Sequence, residues 1–505
     1  MSYATLFTRA KHGITAPLVS VEVHISSGLP GFNIIGLAET ALKESRDRVR
    51  SALMASHFEF PMQRITVNLA PAELPKSGGH YDLAIALGIL VASGQLATDD
   101  LNNCEFIGEL GLNGELRSAH GLLPAALACS EAGHTLICAK EHGIPTVLVE
   151  NINGCSANHL LEVSAHLQQR QSLPSLGESV ETAPEVGDVD NRCGDIAEVV
   201  GQNSAKRALL IAASGGHNLL FSGPPGSGKT MLASRLPSLL PPLNDDQFRE
   251  VAILYAVAQQ ALPTPLYLPP FRAPHHSASA TALVGGGSHP QPGEVSLAHC
   301  GVLFLDELAE YPRHTLDLLR EPLESGEINI IRTRASALFP AQFQLVAATN
   351  PCPCGYAPSS RCQCGREQIR RYRARLSGPL LDRIDLQVEV AALGAEELTA
   401  RQLTNNEQGP SSAELRGEVV RCQEIQLERQ AKLNAQLNRA ELERFCPLQD
   451  EQRKLLGSAV ERFNLSARSY YRILRVMRTL ADLRQAEHSN LDDLYEALSL
   501  RMGET

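Results

Sequence analysis

The chain has 505 residues, 43% of them hydrophobic, a formal net charge of −11 and twelve cysteines. That length supports two or three domains, and the acidic balance excludes a chain that coats nucleic acid indiscriminately, so any nucleic-acid surface must be local. The N-terminus lacks a basic-then-apolar secretory pattern, and the longest apolar run, residues 83–92, is too short to span a bilayer; this predicts a soluble cytoplasmic protein with no membrane partner.

Residues 1–165 alternate strand-like runs at 19–25, 64–69 and 105–107 with an apolar helical run at 81–94, the pattern of a compact α/β domain. Residues 166–194 shift to Gln, Ser, Pro, Glu and Asp and read as a linker. A second α/β domain is predicted over 195–390, with strands at 218–222, 302–306 and 343–349. Residues 391–505 lack strand patterns; charged amphipathic stretches at 412–438 and 466–484 predict a helical lid.

The second domain opens with an apolar strand that feeds Gly223, Pro224, Pro225, Gly226, Ser227, Gly228, Lys229 and Thr230. This is a phosphate-binding loop between a strand and a helix. Gly226 and Gly228 let the backbone curl so that successive N–H groups face phosphates, Lys229 reaches the β/γ phosphates, and the Thr230 hydroxyl is suited to ligate Mg²⁺. A second apolar strand, 302–305, ends in Asp306 and Glu307. Asp306 is placed to hold the metal's water shell, and Glu307 to orient or deprotonate an attacking water. The strand at 343–349 ends at Asn350, whose amide is expected between the two motif strands, near the γ-phosphate; a strand-ending turn with Pro351 is the plainer alternative.

Four cysteines follow as two Cys-x-Cys pairs, Cys352 with Cys354 and Cys362 with Cys364. Four thiolates in so short a segment can close a tetrahedral Zn²⁺ site, although the pair spacing is tighter than usual and reduced structural thiols are the alternative. Arg361, Arg366, Arg370, Arg371, Arg373 and Arg375 make the most basic stretch of the chain. It suits DNA backbone through counterion release, and equally a solvated helix face or a subunit interface. Arg383 sits after an apolar pair, where it would neutralise transition-state charge at a neighbouring subunit, or form an ordinary surface pair. Ser466 is a candidate N-cap for a helix carrying Arg468, which would reach nucleotide from the lid. The adjacent His275 and His276 are poorly arranged to chelate one ion and are expected to make packing or loop contacts.

The loop at 223–230, the Asp306–Glu307 pair, Asn350, Arg383 and Arg468 follow the order of AAA+ ATPases. Segments 271–276, 285–299 and 350–355 more specifically resemble the ComM/YifB family of magnesium-chelatase-like AAA+ proteins, over essentially the whole chain. The resemblance implies ATP with Mg²⁺ as cofactors, a homo-oligomeric ring of six, and a DNA helicase that drives branch migration during natural transformation. It also makes residues 325–345 look like a hairpin that projects into the ring's pore, with Arg332 and Arg334 on one strand face, either to hold phosphates or simply as the hairpin's solvent face, and the Gly285–Gly287 loop a second pore element. Residues 75–82 and 108–121 resemble a Lon-protease-like (S5-type) domain. On that alignment the nucleophile position is His80 and the lysine position falls near Leu123, so a non-proteolytic scaffold or collar is expected. Rival readings are a motor for inserting magnesium into a porphyrin, which would need an integrin-like partner, and a protein remodeller.

Overall fold

A computed structural model describes residues 2–36, 39–74, 76, 78–97, 101–118, 121–140, 148, 152–176, 194–287, 290–332, 336–376, 378–392, 409–463 and 465–501. Arg334, together with Thr333, Pro75, Ser77 and most of the predicted linker, lies outside them. Among the described residues no helix is long and apolar enough to cross a membrane.

The first unit is a seven-stranded mixed sheet. Its strands are β1 (Ser2–Arg9), β2 (Leu18–Ser26), β3 (Gly31–Ile35), β4 (Arg64–Ala70), β5 (Cys104–Ile107), β8 (Thr135–Ala139) and β9 (Gly154–Ala157), with a short hairpin β6 (Glu109–Leu110) and β7 (Leu116–Arg117) beside it. The order is β3-β4-β2-β1-β5-β8-β9. β2 shows period-two alternation, burying Val19, Val21, Val23 and Ile25 under helix Asp82–Ala92. That helix is apolar on every side because it is covered on every side. Residues 168–176 do not depart from this unit: the Leu176 N–H donates to Gly154 O at 3.0 Å, and the Leu176 side chain is buried.

The second unit carries a five-stranded parallel sheet built from β10 (Leu219–Ser222), β11 (Phe271–Arg272), β14 (Val302–Leu305), β17 (Gln344–Thr349) and β18 (Leu386–Glu389), in the order β11-β14-β17-β10-β18. β14 and β17 are buried at every position, as expected of parallel strands covered on both faces. Two small hairpins stand outside this sheet: β12 (Gly285–Gly286) with β13 (Gln291–Pro292), and β15 (Glu327–Ile331) with β16 (Ser336–Pro340). The expected hairpin, 325–345, ends earlier: its second strand stops at Pro340, and Ala341–Phe343 turns the chain into the main sheet.

The C-terminal helices start on reciprocal caps. Ser411 with Glu414, Asn438 with Glu441 and Asn490 with Asp493 each satisfy two backbone donors, and Ser466 caps helix Ala467–Leu483. Helices Ser412–Gln430 and Ala467–Leu483 pack on helix Asn203–Gly215, joining one apolar cluster with the sheet. The N-terminal unit docks elsewhere: Leu122, Ala126 and Cys129 share a cluster with Phe248, Val251 and Tyr255 of helix Asp245–Val257.

Candidate nucleotide site and its two faces

Parallel pairing aligns the C-terminal ends of the central strands. Ser222 pairs with Thr349 and Leu305 with Ala347, so the residues that follow emerge side by side at one crevice. β17 lies between β10 and β14, which sets Asn350 between the phosphate loop and the acidic pair. Gly226 and Gly228 adopt φ of 75° and 89°, and a Cβ built on either meets nothing within 4 Å. The loop is thus an open cradle lined by backbone, which fits a chain of phosphates. The other loop members crowd behind it: Ser227 is buried, and a Cβ on Gly223 would collide with the Val390 carbonyl.

Lys229 opens helix Lys229–Ser234 and donates to Gly223 O at 2.7 Å, Pro224 O at 2.8 Å and Asn350 Oδ1 at 3.2 Å. Burial draws its ammonium below the ordinary lysine value, opposed by the charges of Asp306 and Glu307. Thr230 Oγ1 donates to Asp306 Oδ2 at 2.7 Å. A hydroxyl and a carboxylate meeting at this point are oxygen donors of the kind suited to ligate Mg²⁺. The Glu307 N–H donates to Asp306 Oδ1 at 2.8 Å, and Glu307 itself takes φ 50°, ψ 47°, a left-handed conformation for a non-glycine residue. Such backbone costs on the order of 1–3 kcal/mol and persists only where its surroundings enforce it. Here the following turn, Leu308–Glu310, and the buried Tyr311, whose hydroxyl donates to Pro274 O at 2.6 Å, hold it in place.

The same Tyr311 tether brings in a residue that sequence reasoning set aside. His276 Nδ1 lies 2.9 Å from Glu307 Oε2. Its sequence signal, a His-His pair after proline, gave no hint of this partner, because the pairing depends on β11 lying beside β14.

Arg383 and Arg468 are not in this crevice. Both line a separate cavity of about 670 Å³ between sheet and lid, which includes Glu324, Arg472 and Arg475 and no residue of the phosphate loop. Arg383 is buried; its Nη1 donates to Pro379 O at 2.7 Å, its Nη2 pairs with Glu324, and its Nε has no partner. The strand after it is anchored by Asp385, which accepts from the Asn218 N–H at 3.0 Å and pairs with Arg472 of the lid. Burial alone would raise the Asp385 carboxyl, yet Arg472 and His217 hold it well below the usual carboxylate range.

The two small hairpins adjoin. A Cβ on Gly285 would stand 2.6 Å from Ile330 Cδ1, and one on Gly286 would stand 2.9 Å from Arg332 Nη2. Arg332 is exposed just past β15. Arg370 and Arg371 project from helix Arg366–Arg373, highly exposed, and both pair with Glu367 at 3.1 Å.

Two groups of side chains invite a metal. The Sγ atoms of Cys352, Cys354, Cys362 and Cys364 lie within 4.8 Å of one another, and none is in a disulfide. Glu250, His299 and Cys300 also cluster, but both ring nitrogens of His299 are engaged: Nδ1 accepts the Gln342 N–H at 3.1 Å and Nε2 contacts Glu250 at 2.8 Å. No ring nitrogen is left for an ion. In the N-terminal unit His80 lines a cavity of about 240 Å³ with Lys11, Gly121 and Leu122, while Lys76 Nζ is taken up by the carbonyls of Pro71 and Leu74. Among the described residues no hydroxyl–amine pair assembles there.

Known proteins resemble this chain over nearly its whole length. A family model described as magnesium chelatase, subunit ChlI, matches residues 195–398; companion models of the same subunit match 21–142 and, for its C-terminal part, 409–501. The competence protein ComM of Haemophilus influenzae is 49% identical over 99% of this chain and 98% of its own. The chain belongs to the ComM/YifB family. YifB of Escherichia coli is 46% identical over 99% of this chain and 97% of its own. A magnesium-chelatase 38 kDa subunit from Cereibacter sphaeroides is 28% identical over 38% of this chain and 57% of its own. The family is one of magnesium-chelatase-like AAA+ proteins, which use nucleotide with Mg²⁺, and the crevice has the cradle, lysine, hydroxyl and carboxylates that such use requires.

Proposed function

We propose that this protein is an ATP-driven DNA motor: a cytoplasmic hexameric ring, with helicase activity, that promotes branch migration during natural transformation and homologous recombination. In this reading residues 223–230 wrap the phosphates, Thr230 and Asp306 hold Mg²⁺, and Glu307 prepares the attacking water with Asn350 beside it. Arg383 and Arg468 act on the nucleotide of a neighbouring subunit. The observation that carries the reading is their separation from the chain's own phosphate loop, which leaves each protomer with half of two sites. The full-length similarity to a competence protein, 49% identical, supports DNA as the polymer moved; the Cereibacter chelatase subunit is less similar, 28% identical over 38% of this chain.

Arg332, with Arg334 beyond the described residues, would grip phosphates from the pore hairpin, and Arg370 and Arg371 would offer a second basic surface. The four cysteines are assigned one zinc ion. The test is ATP turnover with branched DNA, with porphyrin and with unfolded protein. Branched DNA alone should stimulate it. Replacing Arg332 and Arg334 together with alanine should weaken DNA binding and flatten its salt dependence, the log–log slope falling by about one for each phosphate no longer neutralised. Equal stimulation by unfolded protein would instead indicate a protein remodeller.

A further inference from the structure

The segment between Asn350 and helix Arg366–Arg373 has almost nothing to hold it together. Of residues 351–365 only Cys352 and Gly355 are buried, and the segment contains no helix or strand. Its sulfurs nonetheless converge: Cys352 to Cys354 at 3.3 Å, Cys352 to Cys362 at 3.8 Å, and Cys354 to Cys362 at 3.6 Å. A tetrahedral ion with Zn–S near ~2.3 Å places its ligands about 3.8 Å apart, so the spacing suits one shared ion. The Ala357 N–H also donates to Cys352 Sγ at 3.3 Å, an outer hydrogen bond typical of a thiolate ligand.

This knuckle touches the nucleotide site directly. Gly355, at φ 84°, packs on the crest of the phosphate loop, where a Cβ would stand 2.6 Å from Pro225 Cγ. Upstream it continues from Asn350, which accepts from Lys229. Downstream it leads into helix Arg366–Arg373, whose Tyr372 is buried. The phosphate loop therefore leans on a segment that lacks a hydrophobic core of its own.

We propose that zinc bound by Cys352, Cys354, Cys362 and Cys364 makes the knuckle a buttress for the phosphate loop, so that metal occupancy sets nucleotide affinity. This rests on the zinc reading of the four cysteines. Metal binding supplies the folding free energy that the segment cannot draw from burial, and the Gly355–Pro225 contact passes that rigidity to the cradle.

The experiment measures zinc per chain by elemental analysis and the affinity for a fluorescent ATP analogue, on the full-length protein as purified and on Cys362→Ser/Cys364→Ser. One zinc per chain is expected in the wild type and none in the variant, with about tenfold weaker nucleotide binding. A second variant, Gly355→Val, should keep its zinc and weaken the nucleotide comparably, because it wedges the contact apart. Absence of zinc from the wild type would overturn the metal assignment and the buttress with it. Zinc present in the wild type but unchanged nucleotide affinity on its removal, or in Gly355→Val, would overturn the buttress alone.

Discussion

Glu307 holds an unfavourable backbone conformation while its carboxylate is engaged by His276. Those two facts fit a residue that must be aimed rather than merely present, since a base works only within hydrogen-bond reach of the water it activates. Glu307→Gln keeps the shape and removes the proton acceptor. It should leave ATP and Mg²⁺ binding intact while turnover falls by about 10²–10⁴-fold in a steady-state phosphate-release assay. Normal turnover would assign the base elsewhere. The phosphate loop and the acidic pair were legible from sequence because each is a contiguous run whose chemistry depends on local backbone. His276 was not, because its role comes from a partner at the end of a neighbouring strand.

At the scale of elements, the N-terminal sheet folds around a histidine it cannot easily charge. His80 is almost wholly buried, its Nε2 has no partner, and burial, with Lys11 nearby, lowers its pKa from 6.5 to about 3. The folded value lies below the unfolded one, so the unfolded chain binds the extra proton first. Stability is complete above about pH 6.5 and drains as pH falls toward 3, by about 1.4 kcal/mol per unit of separation between the two pKa values. In a thermal melt followed by circular dichroism, Tm should therefore fall less steeply for His80→Gln than for the wild type between about pH 6.5 and 4. Parallel curves would show that another group governs the acid limb. Three of the seven strands of this sheet, β2, β4 and β5, are legible as apolar runs, whereas β8 and β9 are not. β1, β3 and the helix Glu39–Ala55 were not singled out, the helix because its face is largely charged and gains its place only by covering the sheet.

Across the whole molecule, a buried ion pair joins the lid to the sheet: Asp385, ahead of the strand behind Arg383, pairs with Arg472, while within the lid Asp482 accepts from Arg429, Arg478 and Asn434. Removing one member of such a network leaves its partner buried and unpaired. These contacts fix Arg383 and Arg468 on a face remote from their own phosphate loop, which is the basis for expecting shared sites. Arg383→Ala alone and Lys229→Ala alone should each lose ATP turnover, by about 10³-fold for the arginine, and mixing the two should restore a part of it. Full activity from Arg383→Ala alone would remove the shared-site reading.

The amino-acid sequence by itself determined the family, the phosphate-loop motif and the mixed α/β character with a helical C-terminal region, because glycine conformations, strand alternation and helix caps act within a few residues. Tertiary structure decided which of these side chains meet. Parallel strand order brought Asn350 between the two motifs and His276 to Glu307; Arg383, just ahead of β18, and Arg468 of the lid line a cavity that holds no residue of the phosphate loop; the convergence of two cysteine pairs set a coreless loop against Pro225. Each of these is a contact between segments far apart in the chain, and a contact of that kind is fixed by the packing of whole layers rather than by any local run of residues.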